Sequence, residues 1–208
     1  MNVGDGIHKV EGTRVGNAYV VETDHGLLVV DSGIRASAAP VLRTVERLGR
    51  PPADVRLLVL THWHVDHIRG AAAVIRATGA RLAIHQLDAP IIAGGELPTK
   101  GRRAMRLIIG LLRVRSLTPD LILHDGDEVA GLRVVHVPGH TAGSIALVRD
   151  GVVLTGDALL GDRQGRIRPP DPGLSLDPVA ATASADRILA LSPRLVLPGH
   201  GRPARPEA

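Results

Sequence analysis

The densest chemistry in the chain lies in the run Thr61-His62-Trp63-His64-Val65-Asp66-His67-Ile68-Arg69-Gly70. Three imidazoles and one carboxylate fall within the six residues from His62 to His67. Imidazole nitrogen and carboxylate oxygen are the ligands that zinc, manganese and iron accept where no thiolate is on offer, and the chain has no Cys. The i, i+2 spacing of His62 and His64 suits a chain leaving a strand, where alternate side chains point the same way. Asp66 continues that alternation, and His67 adjoins it as the chain turns into a helix. One short loop can therefore present ligands to two neighbouring metals, but it cannot close two coordination shells. Three more polar points follow, at Pro138-Gly139-His140-Thr141, Thr155-Gly156-Asp157 and Pro198-Gly199-His200-Gly201. The glycines beside them permit tight turns and close backbone approach.

A scaffold must bring these points together. Asn17 to Asp31 reads as two strands around the turn Thr23-Asp24-His25-Gly26. A helix is expected from about Ala36 to Leu48, where Val41, Leu42, Val45 and Leu48 keep helical spacing, and Pro51-Pro52 stops it. Val55 to Leu60 is an apolar strand interrupted by Arg56. Ala71 to Thr78 reads as helix and Arg81 to Ile84 as strand. Gly101 to Val114 reads as a basic amphipathic helix, with Met105, Ile108, Ile109 and Leu112 on one stripe. Val134 to Val137, Ser144 to Val148, Val152 to Leu154 and Arg194 to Leu197 read as strands, and Val179 to Leu191 as a helix. The alternation predicts an α/β architecture with mixed sheets. Asp31, Thr61, Val137, Gly156 and Leu197 each stand where an apolar strand passes into a polar cluster, and loops at strand ends are where sites assemble.

The bulk properties narrow the class. A chain of 208 residues with 44% hydrophobic content fits one domain with a sizeable core. Phe is absent, and Tyr19 and Trp63 are the single residues of their types, so the core must be Val, Leu, Ile and Ala. The lack of Cys excludes disulfides, thiolate metal sites and thiol nucleophiles. The first dozen residues show no cationic segment followed by an apolar run, and no apolar stretch reaches the roughly 18 residues of a membrane span. The expectation is a soluble, cytoplasmic protein with no membrane span, its oligomeric state left open. A formal charge of +4 is modest. The basic excess is concentrated in Lys100, Arg102, Arg103, Arg106, Arg113 and Arg115, with no acid among them. A small-molecule substrate is expected, and no specific nucleic acid.

Taken together, these residues resemble the metallo-β-lactamase fold superfamily over almost the whole chain. The motif Thr-His-x-His-x-Asp-His-x-x-Gly stands complete at Thr61 to Gly70, and the strand-ending Asp31 and the His140, Asp157 and His200 motifs complete the order. The resemblance implies a four-layer αββα sandwich of two mixed β-sheets flanked by helices, with the site along one edge. It implies that His62, His64 and His140 bind one metal, that Asp66, His67 and His200 bind a second, and that Asp157 bridges them. The cofactor would be two divalent ions, zinc first, with iron or manganese as alternatives. A water shared by such ions acts as hydroxide, and Asp66 can also accept a proton. Asp31 is expected to orient a ligand or loop by hydrogen bonds, and Trp63 to point into packing. His25 and His124 read as solvated turn residues. His8 and His136 read as packing or supporting groups, and His85 as a strand-ending residue that could approach the site.

The expected reaction is hydrolysis of an ester, thioester, lactone or related bond. True β-lactamase activity is disfavoured: one lactamase group uses a Cys ligand, and the others lack the bridging carboxylate that Asp157 supplies. Hydroxyacylglutathione thioesterases share all seven ligands but carry a helical domain past the last His, where this chain continues for eight residues. Quorum-quenching lactonases use a Tyr near the metals, and Tyr19 stands on an N-terminal strand. The alternatives are an iron-dependent persulfide dioxygenase using His62, His140 and Asp157, a phosphodiesterase or nuclease, and a non-catalytic nucleic-acid-binding module. Residues 86–118 are expected to form a basic helical cap inserted in a single domain spanning 1–208. The favoured reading of that cap is packed helix with solvated arginines. The other places Arg102, Arg103 and Arg106 at the edge of an acidic substrate, or the helix at a membrane surface.

Overall fold

The computed structural model describes residues 1–98, 102–112 and 114–206, the side chains of Arg102, Ala104 and Met105 excepted. The chain forms two compact units, Met1–Ile122 and Leu123–Ala208.

The first unit carries a mixed seven-stranded sheet in the spatial order β1 to β7. Its strands are β1 (Asn2–Gly4), β2 (Ile7–Lys9), β3 (Tyr19–Thr23), β4 (Gly26–Val30), β5 (Val55–Val59), β6 (Arg81–His85) and β7 (Leu121–Leu123). The first four pair antiparallel, whereas β4, β5 and β6 run parallel. Parallel pairing needs crossovers, and the helices α1 (Ala39–Arg47), α2 (Val65–Ile68) and α3 (Ala71–Thr78) supply them. Two further helices, α4 (Ala89–Ile92) and α5 (Arg102–Leu112), follow β6. The core beneath is aliphatic, with Val20, Val29, Leu58, Leu60, Leu82 and Ile84 almost wholly buried around Trp63. Arg56 is the exposed residue of β5, so the single charge in that apolar run lies on the solvated side.

The second unit holds a mixed five-stranded sheet in the order β14-β11-β10-β9-β8. These are β8 (Glu128–Val129), β9 (Leu132–His136), β10 (Ile145–Arg149), β11 (Val152–Gly156) and β14 (Leu195–Pro198), with a hairpin of β12 (Leu160–Gly161) and β13 (Ile167–Arg168) and the helix α6 (Pro178–Leu189). Strands β9, β10 and β11 are antiparallel neighbours, and β14 lies parallel to β11. Val135, Val137, Ala146, Val153, Ile188 and Val196 form its core.

The predicted elements between Tyr19 and Leu197 are present, with ends shifted by a few residues. The N-terminal hairpin β1–β2 was not legible, because its strands are three residues each and punctuated by Gly4 and Gly6. For the basic segment, α5 falls within the expected range, while Lys100, Gly101 and Arg113 lie outside the described residues. One part of the stripe is corrected. Ile109 packs against the core and Leu112 is half-buried, but Ile108 is 40% exposed. The helix presents a narrower face to the protein than its apolar residues span.

Candidate metal centre

Strand direction explains how the candidate ligands come together within each unit. In the first unit the parallel strands β4, β5 and β6 all end at the same sheet edge, with Val30 paired to Val59. Asp31 therefore emerges beside Thr61, and β6 ends on the other side of β5 at the same edge. Carboxyl ends of parallel strands are the usual place for a site.

Asp31 is 2% exposed and has a left-handed backbone, φ 58°, a conformation that Asp tolerates better than most residues. This turn folds its carboxylate back over the motif. Oδ1 accepts the Thr61 backbone N–H at 2.8 Å, and Oδ2 accepts the Thr61 hydroxyl at 2.8 Å. Oδ2 also lies 2.8 Å from Nδ1 of His67. With Nδ1 held there, Nε2 is the nitrogen His67 turns toward Asp66, whose Oδ2 lies 3.8 Å away. His62 is arranged in the same sense, its Nδ1 3.0 Å from Thr61 Oγ1. The imidazole of His62 lies 4.9 Å from that of His64 and 4.1 Å from that of His67, centroid to centroid. His62 and His67 are fully buried.

Several supporting residues were not singled out in the sequence. Ser32 donates both its backbone N–H (2.8 Å) and its hydroxyl (2.7 Å) to the His67 carbonyl. Arg69 bonds the carbonyls of Ile34 and Leu112, each at 2.9 Å, and so ties the motif to the end of α5. Asp88, wholly buried just past β6, accepts the Trp63 backbone N–H at 3.1 Å. A carboxylate set among Leu87, Ala89, Pro90 and Ile91 was the available signal, since a buried charge needs partners. Trp63 is 3% exposed in the core, as its alternation with the histidines predicts. Gly70 is explained by close approach: a Cβ there would stand 2.7 Å from the Ser32 carbonyl oxygen and 2.9 Å from that of Arg35.

In the second unit the shared carboxylate is Asp157, 9% exposed. Its Oδ2 lies 3.3 Å from Nε2 of His140 and 3.4 Å from Nε2 of His200. Strands β11 and β14 are parallel with Gly156 opposite Pro198, which puts Asp157 and His200 just past neighbouring strand ends. His140 sits in the β9–β10 loop at the same edge. Ser184 Oγ donates to the Pro138 carbonyl at 2.7 Å, and the Asp177 N–H to that of Gly139 at 2.9 Å, seating this loop on the start of α6. Gly139 adopts φ 130°, and a Cβ there would run into the backbone of Ala181. His136 Nε2 lies 2.9 Å from the Ala142 carbonyl oxygen, so this ring closes the loop from outside, the supporting role expected of it.

Other expectations resolve one by one. His25 and His124 are exposed. His8 is buried against Glu22, 2.8 Å from its Oε1. His85 ends β6 and is 2% exposed. Arg103 and Arg106 are exposed on α5, and the Arg102 side chain lies outside the described residues. Tyr19 is 2% exposed, and its hydroxyl accepts from Asn17 at 3.4 Å. Burial pushes its phenol far above the usual range, and the Asp31 charge adds to this, so it stays protonated. Among the described residues no helix is long and apolar enough to cross a membrane.

The donor set of the two clusters, imidazole nitrogens and carboxylate oxygens without a thiolate, fits borderline divalent ions. Comparison with known proteins agrees. The chain belongs to the metallo-beta-lactamase superfamily, whose model matches residues 12–200. It is 26% identical over 194 residues to "Beta-lactamase-like protein 2 homolog" of Drosophila melanogaster, covering 89% of this chain and 58% of that protein. It is 33% identical over 156 residues to "Hydroxyacylglutathione hydrolase" of Methylobacillus flagellatus, covering 72% of this chain and 50% of that one. The chain thus spans little more than half the length of these relatives. Among solved structures, TTHA1623 in a di-iron-bound form superposes with a TM-score of 0.71 at 29% identity, covering 94% of this chain and 92% of that one. The α/β fold with two mixed sheets and flanking helices is therefore the superfamily's fold. Its members are typically metal-dependent hydrolases.

Proposed function

We propose that the chain is a binuclear metal-dependent hydrolase acting on an ester, thioester, lactone or related bond of a small molecule. In this reading His62, His64 and His140 hold one ion, Asp66, His67 and His200 a second, and Asp157 is shared. The observation that carries it is the position of Asp157, with one carboxylate oxygen facing the Nε2 atoms of both His140 and His200. A bridging ligand needs that arrangement.

When bound, two divalent ions supply a water acidic enough to ionise near neutral pH and a positive site for a developing oxyanion. The residues do the rest. Asp31 holds His67 and Thr61 in place, and Thr61 in turn holds His62, so the imidazoles enter coordination already oriented. The burial of His62, His67 and His140 limits bulk water around the donors. In this reading Asp66, about a quarter exposed at its side chain, is first a ligand and also accepts a proton during turnover. Support for a thioester or ester comes from the relative named hydroxyacylglutathione hydrolase. Zinc is the first expectation for the metal, and the di-iron form of TTHA1623 keeps iron beside it. We further read the protein as a single cytoplasmic domain, with 86–118 as a basic helical cap.

Metal content by elemental analysis tests this, followed by a panel of esters, thioesters, lactones and phosphodiesters. Two ions per chain with esterase or thioesterase turnover are expected. One iron per chain, with oxygen consumed on a persulfide, would move the assignment to the dioxygenase, and absence of metal uptake would end the hydrolase reading.

A further inference from the structure

The helix α5 leaves an apolar face uncovered. At about 100° per residue, Ile109 and Leu112 fall on the side that meets the protein, where Ile109 joins the core and Leu112 is half-buried. Leu107, Leu111 and Ile108 continue the apolar arc away from that side and are 63%, 72% and 40% exposed. Arg103 and Arg106 close the arc on its far flank, both exposed. The helix is fastened at its C-terminal end, where Arg69 bonds the Leu112 carbonyl at 2.9 Å and the Val114 N–H bonds the Ile109 carbonyl at 3.1 Å. Large aliphatic side chains this exposed, contiguous and held on a regular helix mark an interaction surface.

Charge selects the partner. Between Glu96 and Asp120 the chain has six basic residues and no acidic one. A second copy docking by a two-fold axis would bring the same basic helix against itself, with like charges opposed. A lipid surface with negative headgroups meets both halves of the pattern, since aliphatic side chains dip into the acyl boundary while arginines remain among the phosphates. We propose that α5 is an interfacial helix that docks this protein onto an anionic lipid bilayer through Leu107, Leu111 and Ile108, with Arg103 and Arg106 contacting the headgroups. The proposal is independent of the reaction assigned above.

The test is co-sedimentation of the full chain with vesicles of phosphatidylcholine alone and of phosphatidylcholine mixed equally with phosphatidylglycerol. Binding to the anionic vesicles is expected, weakened by added salt, with little binding to the neutral ones. Arg103→Ser with Arg106→Ser is expected to lower partitioning roughly tenfold or more. Leu107→Ser with Leu111→Ser should lower it on the same vesicles while leaving the melting temperature near wild type, because both side chains are already in water. Equal binding to both vesicle types, no binding to either, or binding that both double variants retain would overturn the proposal. So would a wild-type dimer in gel filtration that the leucine variant converts to monomer without any vesicle binding, since a second copy would then be the true occupant.

Discussion

Oδ2 of Asp31 lies 2.8 Å from Nδ1 of His67 and 2.8 Å from the Thr61 hydroxyl, so one buried carboxylate sets the orientation of both ends of the ligand motif. It reaches them because its own backbone turns left-handed at φ 58°. Asp31→Asn keeps that backbone tolerable but replaces one acceptor oxygen by a donor. Metal affinity should fall by roughly 10- to 100-fold, the usual cost of losing such an outer partner, measured by competition with a chromogenic chelator. Unchanged affinity would show that Asp31 serves the fold and not the ligands.

Asp157 and His136 make a paired test. Asp157→Asn keeps volume but removes the charge that two cations would share, and an amide is a poor bridge. Loss of one metal and of turnover by orders of magnitude is expected, with the melting temperature of the metal-free protein near wild type because Asp157 stands at a strand end. His136→Asn loses a bond to the Ala142 carbonyl and should keep full metal content. If elemental analysis gave the reverse pattern, the ligand assignment would fall.

Gly70→Ala tests packing behind the motif. The added methyl would press on the Ser32 and Arg35 carbonyl oxygens at 2.7 and 2.9 Å. Both belong to backbone, which cannot swing aside, so a loss of about 1–3 kcal/mol is expected, typical of overpacking, read by chemical denaturation. A variant as stable as wild type would mean that this loop gives way freely.

The surface carboxylate of Asp125 joins β9 to α6. It accepts the His136 N–H at 2.7 Å and is held by Arg187 at 2.9 Å. These two contacts, the backbone bond first, stabilise the carboxylate and hold its pKa below the ordinary aspartate range. Stability from a lowered carboxylate is present above its unfolded value and lost as pH falls through the folded one. The Tm difference between wild type and Asp125→Asn should therefore be small but present near neutral pH, and should close as pH drops below 3.8. A difference that stayed constant well below that pH would assign the effect to something other than ionisation.

Much of this molecule is readable in order along the chain. Donor type and short-range spacing are local properties, so the reading of His62, His64, Asp66 and His67 as a candidate ligand loop came from the sequence. The apolar runs before Asp31, Thr61, His140, Asp157 and His200 announced strand ends for the same reason. Side-chain period and turn chemistry act over a few residues and do not wait for the fold. What the tertiary structure decided is who meets whom. Asp31 finds His67 across 36 positions only because β4 and β5 run parallel and end at one edge. Asp157 stands between His140 and His200 because β11 lies parallel to β14 and antiparallel to β10. Asp88, Ser32 and Arg69 gained their roles from that same convergence, which no local pattern encodes. The exposure of Leu107 and Leu111 was settled in the same way: helical period puts apolar residues on an arc, but only packing against the rest of the unit determines how much of that arc is covered.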